Sequence, residues 1–358
     1  MESLKQKYER DRSVWNACAS VYEERIVAGH PDVTAYESFE EDFLDRLLAY
    51  LIRDCQKKVM LFDIGCGSGR LHLRYGAKAT PANRLPLENG ALLEELRRMQ
   101  PAYGFDPVLA QGLTKVSGID FSREMIELGQ DKLRRAGLDG TAGPTMTFEL
   151  GSAFDLDPFT GDALPVVVAV CNTIGVMQGE SGAQELFKSM NRALHEIGGI
   201  AIISGYRKEA VESFALGNYE STMTVCGQPR WLTPSTYASP EYVQIPKYYK
   251  RAYDRNPEIE VDVLDKDGAL IDSGHKLTRD PAMVRQVIAS GHIQTYSDYE
   301  SRWYSYEQFQ DWIDTHWPGD KTFHFLGGEI DALRAAPAQL AILDRTGLMT
   351  ELVLRLSS

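Results

Sequence analysis

Three short stretches of the chain carry residue types that bind ligands rather than fill space. The first is Asp63-Ile-Gly65-Cys66-Gly67-Ser-Gly69. Glycines at this density let a ligand approach the backbone closely, because no Cβ intervenes. The second is Ile119-Asp120-Phe121-Ser122, and the third is Gly151-Ser152-Ala153-Phe154-Asp155. Each follows a strand-like segment, and in a doubly wound sheet ligands bind at the carboxyl ends of the strands. The glycines run Gly65-x-Gly67-x-Gly69, one residue short of the third glycine in the G-x-G-x-x-G dinucleotide fingerprint. That spacing tilts the reading away from a nicotinamide dinucleotide. Each residue also has a plainer reading. Asp120 alone fits a helix cap or a surface acid, Cys66 a small loop filler, and Cys171 a packing residue.

Those stretches need elements to hold them. Val59–Ile64, Lys115–Asp120, Leu164–Val170 and Gly199–Ser204 are short apolar runs, and Thr145–Leu150 alternates like a strand. Between them, a helix is expected from Ser122 as N-cap to Ala136, and another over Gln184–Glu196, stopped by Gly198-Gly199. Strands apolar on both faces that alternate with helices predict an α/β fold, a mostly parallel sheet with helices on each side. Residues 1–57 read as helical. Beyond Gly205 the pattern changes. Residues 219–253 are rich in tyrosine and proline, and read as a structured lid or insertion, or else as a second core or a dimer contact. The Asp267-Gly268 turn between Glu258–Leu264 and Ala269–Leu277 predicts a hairpin. Helices are expected at 280–290, 305–316 and about 328–344, and a terminal strand over Leu348–Leu356.

Composition narrows the function classes. The 358 residues are 43% hydrophobic and 25% charged, as in soluble globular proteins. With 38 Lys and Arg against 51 Asp and Glu, the net charge is −13. Such a chain is a poor candidate for gripping nucleic acid, whose affinity comes from counterions released by basic residues. Its five cysteines include no C-x-x-C pair, and its seven histidines form neither H-x-x-x-H nor H-E-x-x-H, so no metal site is expected. The polar start and the lack of a long apolar run point to a cytoplasmic protein with no membrane partner.

The ordered set of motifs resembles a family. VMLFDIGCGSGR at Val59–Arg70 looks like the first motif of class I S-adenosylmethionine-dependent methyltransferases of the small-molecule type. Gly118-Ile-Asp120-Phe-Ser-Arg-Glu-Met125-Ile resembles the second, and Phe148–Leu156 the third. Val166–Val170 with Cys171-Asn172-Thr173, and then the Gly198-Gly199 strand, resemble the fourth and fifth. The resemblance implies a doubly wound, seven-stranded sheet and S-adenosylmethionine as cofactor, leaving as S-adenosylhomocysteine. It places the cofactor on Asp63, Gly65, Cys66, Gly67, Asp120, Phe121, Ser152, Ala153, Phe154, Cys171 and Asn172. Backbone at Gly65–Gly69 would meet the amino acid end, and Asp63 would orient the loop or the ammonium. Asp120 would accept both ribose hydroxyls, and Phe121 would lie against adenine. The family often carries an acid where this chain has Ser152, and Asp155 is the alternative partner for the adenine amino group. Cys171 and Asn172 would edge the methionine moiety. Gly69 and Asp120 stand 51 residues apart, where about 20 is usual for nucleotide folds. Residues 76–113 therefore read as an insertion, a substrate wall or a dimer contact.

These readings divide the chain into a helical lid at 1–57, a cofactor-binding core at 58–204, and a lid and sheet-completing region at 205–358. The acceptor would be a small metabolite methylated at N, O or C. Tyr22, Tyr206, Arg207 and His275 are the catalytic candidates, with Trp15, Trp231, Tyr237 and Tyr242 as further lining. Arg207 could hold a carboxylate by a fork contact, and His275 could serve as a base. Against these stand a helix face packed on the sheet edge for Trp15 and Tyr22, and a surface position for His275. Trp303–Ile313, capped by Ser305, resembles the late helix of small-molecule methyltransferases. The competing functions are an NAD(P)-dependent oxidoreductase, an aminopropyltransferase, a nucleic-acid methyltransferase, and a non-catalytic methyltransferase-fold binding protein. A homodimer is a further expectation.

Overall fold

Alternate residues of the central strands bury into opposite faces of the sheet, and this builds two separate cores. In the computed structural model Val59 and Leu61 of β1 (Val59–Ile64) join one core, and Met60, Phe62 and Ile64 the other. The structure describes residues 3–22, 31–85, 87–140, 143–177, 179–206, 242–247, 259–264, 270–277, 297–302, 304–319, 323–326 and 338–349. The first core takes helix α2 (Pro31–Ala49), through Leu44, Leu47 and Leu48, and α3 (Arg70–Ala79), through Leu71 and Tyr75. The second takes two helices further along the chain, α7 (Gly179–Ala193) and α8 (Tyr306–His316). Helices therefore cover both faces, as expected.

The sheet continues with β2 (Leu113–Asp120), β3 (Thr145–Leu150), β4 (Leu164–Ala169), β5 (Ile200–Tyr206), β10 (Phe323–Leu326) and β11 (Ala338–Asp344). Its order is β10-β11-β5-β4-β1-β2-β3. The pairs among β1 to β5 are parallel, and β11 runs antiparallel to both β5 and β10. Seven strands, mostly parallel, match the expectation. Four further strands form two antiparallel pairs. These are β6 (Tyr242–Lys247) with β9 (Ser297–Arg302), and β7 (Ile259–Leu264) with β8 (Leu270–Leu277). The second pair is the hairpin that the Asp-Gly signal predicts.

The cap residues behave as their chemistry dictates. Ser122 Oγ accepts from Met125 N at the start of α6 (Arg123–Ala136), and Gly137 closes that helix with φ 69°. Ser305 and Gln308 form a capping box on α8, whose Phe309, Trp312 and Ile313 are buried. The stretch expected as an insertion folds as α4 (Leu87–Met99) and α5 (Pro107–Gly112), and α3 runs through Ala79. Leu93 packs with Ala77 and Leu133, and Leu109 enters the first core.

One element is corrected. The sequence reading placed a helix over about 328–344, but Ala338–Asp344 is the strand β11. Every residue of Ala-Gln-Leu-Ala-Ile-Leu-Asp is buried there, between β5 and β10. A segment buried on both faces shows neither alternation nor a stripe, and its alanines and leucines favour a helix locally. Pairing with Ile200–Tyr206 decides the outcome. Leu348 and Met349 are not in a strand, and the rest of the expected terminal strand lies outside the described residues, as does the helix expected at 280–290.

Gly118 of β2 lies opposite Asp63 of β1, directly beneath the glycine loop. A Cβ at Gly118 would stand 2.6 Å from Cys66 Cβ, 2.8 Å from His72 Cε1 and 2.9 Å from Asp63 O. A backbone oxygen cannot swing aside. Gly118→Ala is therefore expected to destabilise by about 1–3 kcal/mol, read as a lower urea midpoint at unchanged slope. A wild-type midpoint would show that the loop is loosely seated.

Candidate functional site

The loop after β1 is anchored from two sides. Gly65 N and Cys66 N both donate to Ile119 O of β2, at 2.9 and 3.2 Å. Asp120 supplies the second anchor. Its Oδ2 accepts from Gly67 N at 2.9 Å, and its Oδ1 accepts from Ser122 N at 2.8 Å. Gly65, Gly67 and Gly69 take φ of 71°, 51° and 77°, a region L residues rarely adopt. At Gly67 a Cβ would meet nothing within 4 Å, so the space above it is open cleft.

That cleft is about 810 Å³ with the open solvent at its mouth included. Gly65, Gly67, Asp120, Phe121, Ser152, Ala153, Phe154 and Cys171 of the expected cofactor residues line it. Asp63, Cys66 and Asn172 do not. Asp63 and Cys66 are buried beneath the loop, and Asn172 is buried behind the turn after β4. Trp15, an expected lining residue, does line the cleft. The side chains of Tyr22, Tyr206 and His275 lie outside the described residues, as do Arg207, Trp231 and Tyr237 altogether. Tyr22 is placed at the end of α1 (Leu4–Tyr22), Tyr206 at the end of β5, and His275 opposite Val261 in the β7–β8 pair. Tyr242 opens β6, its side chain also outside the described residues. β9 passes beside the turn at Thr173–Val176. Among the described residues, the stretch 76–113 expected as an insertion contributes nothing to the lining.

Sequence reasoning missed several contributors. Tyr8 of α1 brings its ring centroid to 5.3 Å from Phe121 and 6.2 Å from Phe154, and the Ser152 side chain acts on its hydroxyl. Burial, the largest influence, raises the Tyr8 pKa. Helix α1 reaches the cleft because it packs across α6, through Ala19 on Met125. Thr173, Val176 and Met177 complete the wall. No spacing signal marks Tyr8, because its neighbours in the cleft are distant in sequence, whereas Thr173 directly follows the Cys171-Asn172 pair.

The turn after β4 is the second unusual backbone. Cys171 and Asn172 take φ of 54° and 56° in succession. Left-handed non-glycine residues cost on the order of 1–3 kcal/mol each, so surrounding contacts must hold them. Cys171 N donates to Glu40 Oε1 at 2.8 Å, and Asn172 N to Ser204 Oγ at 3.3 Å. Glu40, on α2, also accepts from the Ser204 hydroxyl, and its Oε2 lies 3.4 Å from Arg70 Nη2. From there an ion-pair ladder joins α2 to α3. Arg70 meets Glu41 at 2.8 Å, Arg74 bridges Glu41 and Asp45 at 2.7 Å each, and Lys78 meets Asp45 at 2.6 Å. The spacing of Glu41 and Asp45, and of Arg70, Arg74 and Lys78, puts each set on one helix face.

Buried titratable groups crowd beneath the loop. Burial first, then the charges of Asp120 and Glu40 against the opposing pull of Arg70, push Asp63 up to about 7. Burial pushes Asp120 up to about 6, although three backbone N–H groups favour its ionised form. Burial lowers His72 to about 4, so the ring is neutral at pH 7, stacked 4.1 Å from Phe148 with Nε2 at 3.0 Å from Thr147 O.

The strand order, with one antiparallel strand second from the edge, is that of the class I S-adenosylmethionine-dependent methyltransferase fold. The glycine loop follows β1 and the acid ends β2, as that fold requires. No family model matches the sequence, and no curated protein matches it. Among solved structures, an S-adenosylmethionine-dependent methyltransferase from Methanosarcina mazei is 12% identical, over 82% of this chain and 94% of that one, with a TM-score of 0.39. One from Clostridium acetobutylicum is 11% identical, over 92% and 98%, with a TM-score of 0.40. The CcbJ methyltransferase from Streptomyces caelestis is 13% identical, over 92% and 96%, with a TM-score of 0.38. At such low scores the fold assignment rests on strand order and direction. No helix among the described residues is long and apolar enough to cross a membrane.

Asp63 gives a pH prediction. Its folded pKa of about 7 exceeds the unfolded value, so the folded state holds the proton more tightly. Its contribution is full below the unfolded pKa and is lost as pH rises through about 7. His72 acts with the opposite sign, losing stability as pH falls from its unfolded pKa through about 4. Comparing Asp63→Asn with wild type isolates the first group. The variant is expected to gain on wild type between about pH 5 and 7, by up to about 1.4 kcal/mol per pH unit. Parallel curves of unfolding free energy against pH would refute the assignment.

Proposed function

We propose that the cleft binds S-adenosylmethionine and that the protein transfers its methyl group to a small metabolite. One observation carries the reading. The Asp120 carboxylate borders an open cleft, between a left-handed glycine loop on one side and an aromatic slot on the other. The Asp120 carboxylate is fixed by Gly67 N on one oxygen and Ser122 N on the other, and it borders the cleft where a vicinal diol could be held. Phe121, Phe154 and Tyr8 offer flat apolar faces for a purine, with Ser152 at hand for its polar edge. The open space above Gly67 suits a ligand that lies directly on the backbone.

Charge supports a cationic ligand. The Asp120 carboxylate borders the cleft, and among the described residues no basic side chain lines it. An ammonium or sulfonium entering here would be attracted, whereas a pyrophosphate would be repelled. This disfavours the nicotinamide alternative, as does the glycine spacing.

When bound, the cofactor supplies an electrophilic methyl group on a sulfonium. The chain's own contribution is then mainly positioning. Reacting atoms need to stand about 3–3.5 Å apart and in line. Trp15, Val176 and Met177 give the described wall an apolar surface. Tyr22, Tyr206, Arg207 and His275 are the proposed acceptor-side groups, with Arg207 suited to a carboxylate and His275 to a proton.

Calorimetric titration with S-adenosylmethionine and S-adenosylhomocysteine tests the reading. Wild type is expected to bind both at micromolar concentration. Asp120→Ala is expected to lose at least about tenfold, equivalent to about 1.4 kcal/mol. Asp120→Asn, which keeps an acceptor for Gly67 N, controls for collapse of the loop. No binding by folded wild type would overturn the reading.

A further inference from the structure

We infer that Glu40 and Ser204 are positioning residues that set the gap between the two jaws of the cleft. The inference rests on the proposed reading of that cleft as the cofactor site. One jaw is the glycine loop, which ends at Gly69 and passes directly into Arg70 of α3. The other is the Cys171–Asn172 turn, which continues into Thr173. Glu40 belongs to neither jaw and does not line the cleft. It is buried, and its carboxylate touches both jaws. Oε1 accepts from Cys171 N at 2.8 Å, and Oε2 faces Arg70 Nη2 and Cys171 Sγ, each at 3.4 Å. Arg70 Nη2 in turn lies 2.9 Å from Cys171 Sγ. A single carboxylate thus spans the distance between loop end and turn.

Ser204 completes the arrangement. Its hydroxyl donates to Glu40 Oε1 and accepts from Asn172 N at 3.3 Å. The two backbone N–H groups of the left-handed pair are therefore both satisfied, one by Glu40 and one by Ser204. Neither could form in a regular strand, because both depend on side chains from α2 and β5. The gap they set is narrow. A Cβ at Gly65 would stand 3.1 Å from Thr173 Cγ2, so loop and turn are in near contact. Gly65, Cys171 and Thr173 all line the cleft. A shift of the turn by a few tenths of an ångström changes the surface that a ligand meets.

A merely structural role would show in stability alone. The experiment compares Glu40→Ala, Glu40→Gln and Ser204→Ala with Glu41→Gln in the full chain. Glu41 belongs to the same ladder, through Arg70 and Arg74, but does not touch the turn. Each variant is measured for its melting temperature and for S-adenosylhomocysteine affinity by calorimetry. Ser204→Ala and Glu40→Ala are expected to bind at least about tenfold more weakly, equivalent to about 1.4 kcal/mol. Glu40→Gln, which keeps an acceptor for Cys171 N, is expected to recover part of the loss. Glu41→Gln is expected to melt lower yet bind within about twofold of wild type. Affinities of Ser204→Ala and Glu40→Ala within about twofold of wild type overturn the inference. If wild type binds no S-adenosylhomocysteine, the proposed function fails, and a second readout decides this inference separately. That readout is the alkylation rate of Cys171 by iodoacetamide, followed by peptide mass mapping. A rate at least about threefold faster in Ser204→Ala, with Glu41→Gln unchanged, supports a turn held by Ser204. Equal rates in all three proteins overturn it.

Discussion

One buried carboxylate organises the ligand side of this protein. Asp120 holds Gly67 N of the loop after β1 and Ser122 N at the start of α6, so strand, loop and helix meet on two oxygens. Burying a charge is expensive unless hydrogen bonds compensate, and here the compensation comes from backbone groups that cannot move away. Without this anchor the loop would keep its tie to Ile119 O but lose the hold on Gly67. Gly118 permits the close seating. Any side chain there would collide with Cys66, His72 and the Asp63 carbonyl.

A second carboxylate organises the opposite wall. Glu40 holds a turn of two left-handed non-glycine residues, and it can be buried because Arg70 stands beside it. Buried ion pairs often add little net stability, since desolvation offsets the attraction. The ladder from Glu40 through Arg74 to Lys78 is therefore better understood as fixing how α2 sits on α3.

The two faces of the sheet serve different ends. The face under α7 and α8 is an apolar core, filled by Phe187, Phe309, Trp312 and Trp317. The face under α2 and α3 is apolar near the sheet centre and turns ionic toward the strand ends. In that ionic layer Glu40, Glu41 and Asp45 face Arg70, Arg74 and Lys78, and its Glu40–Arg70 end adjoins the turn after β4.

The sequence by itself determined the strands β1 to β5, the caps at Ser122 and Ser305, and the three ligand-bearing strand ends. Those are local facts: an apolar run, a hydroxyl before a helix, a glycine where φ must be positive. They also marked eight of the residues that line the cleft, because residues at the carboxyl ends of parallel strands share one edge of a sheet. Only the tertiary structure decided that Ala338–Asp344 is a strand, since burial on both faces erases the period that separates strand from helix. It also decided that Asp63 and Cys66 lie beneath the loop rather than in the cleft, a matter of which face of β1 and of the turn each side chain takes. Tyr8, Glu40 and Ser204 belong to the same class. Glu40 meets its partners 131 and 164 residues away, and no local pattern encodes a contact that exists only once the helix has docked.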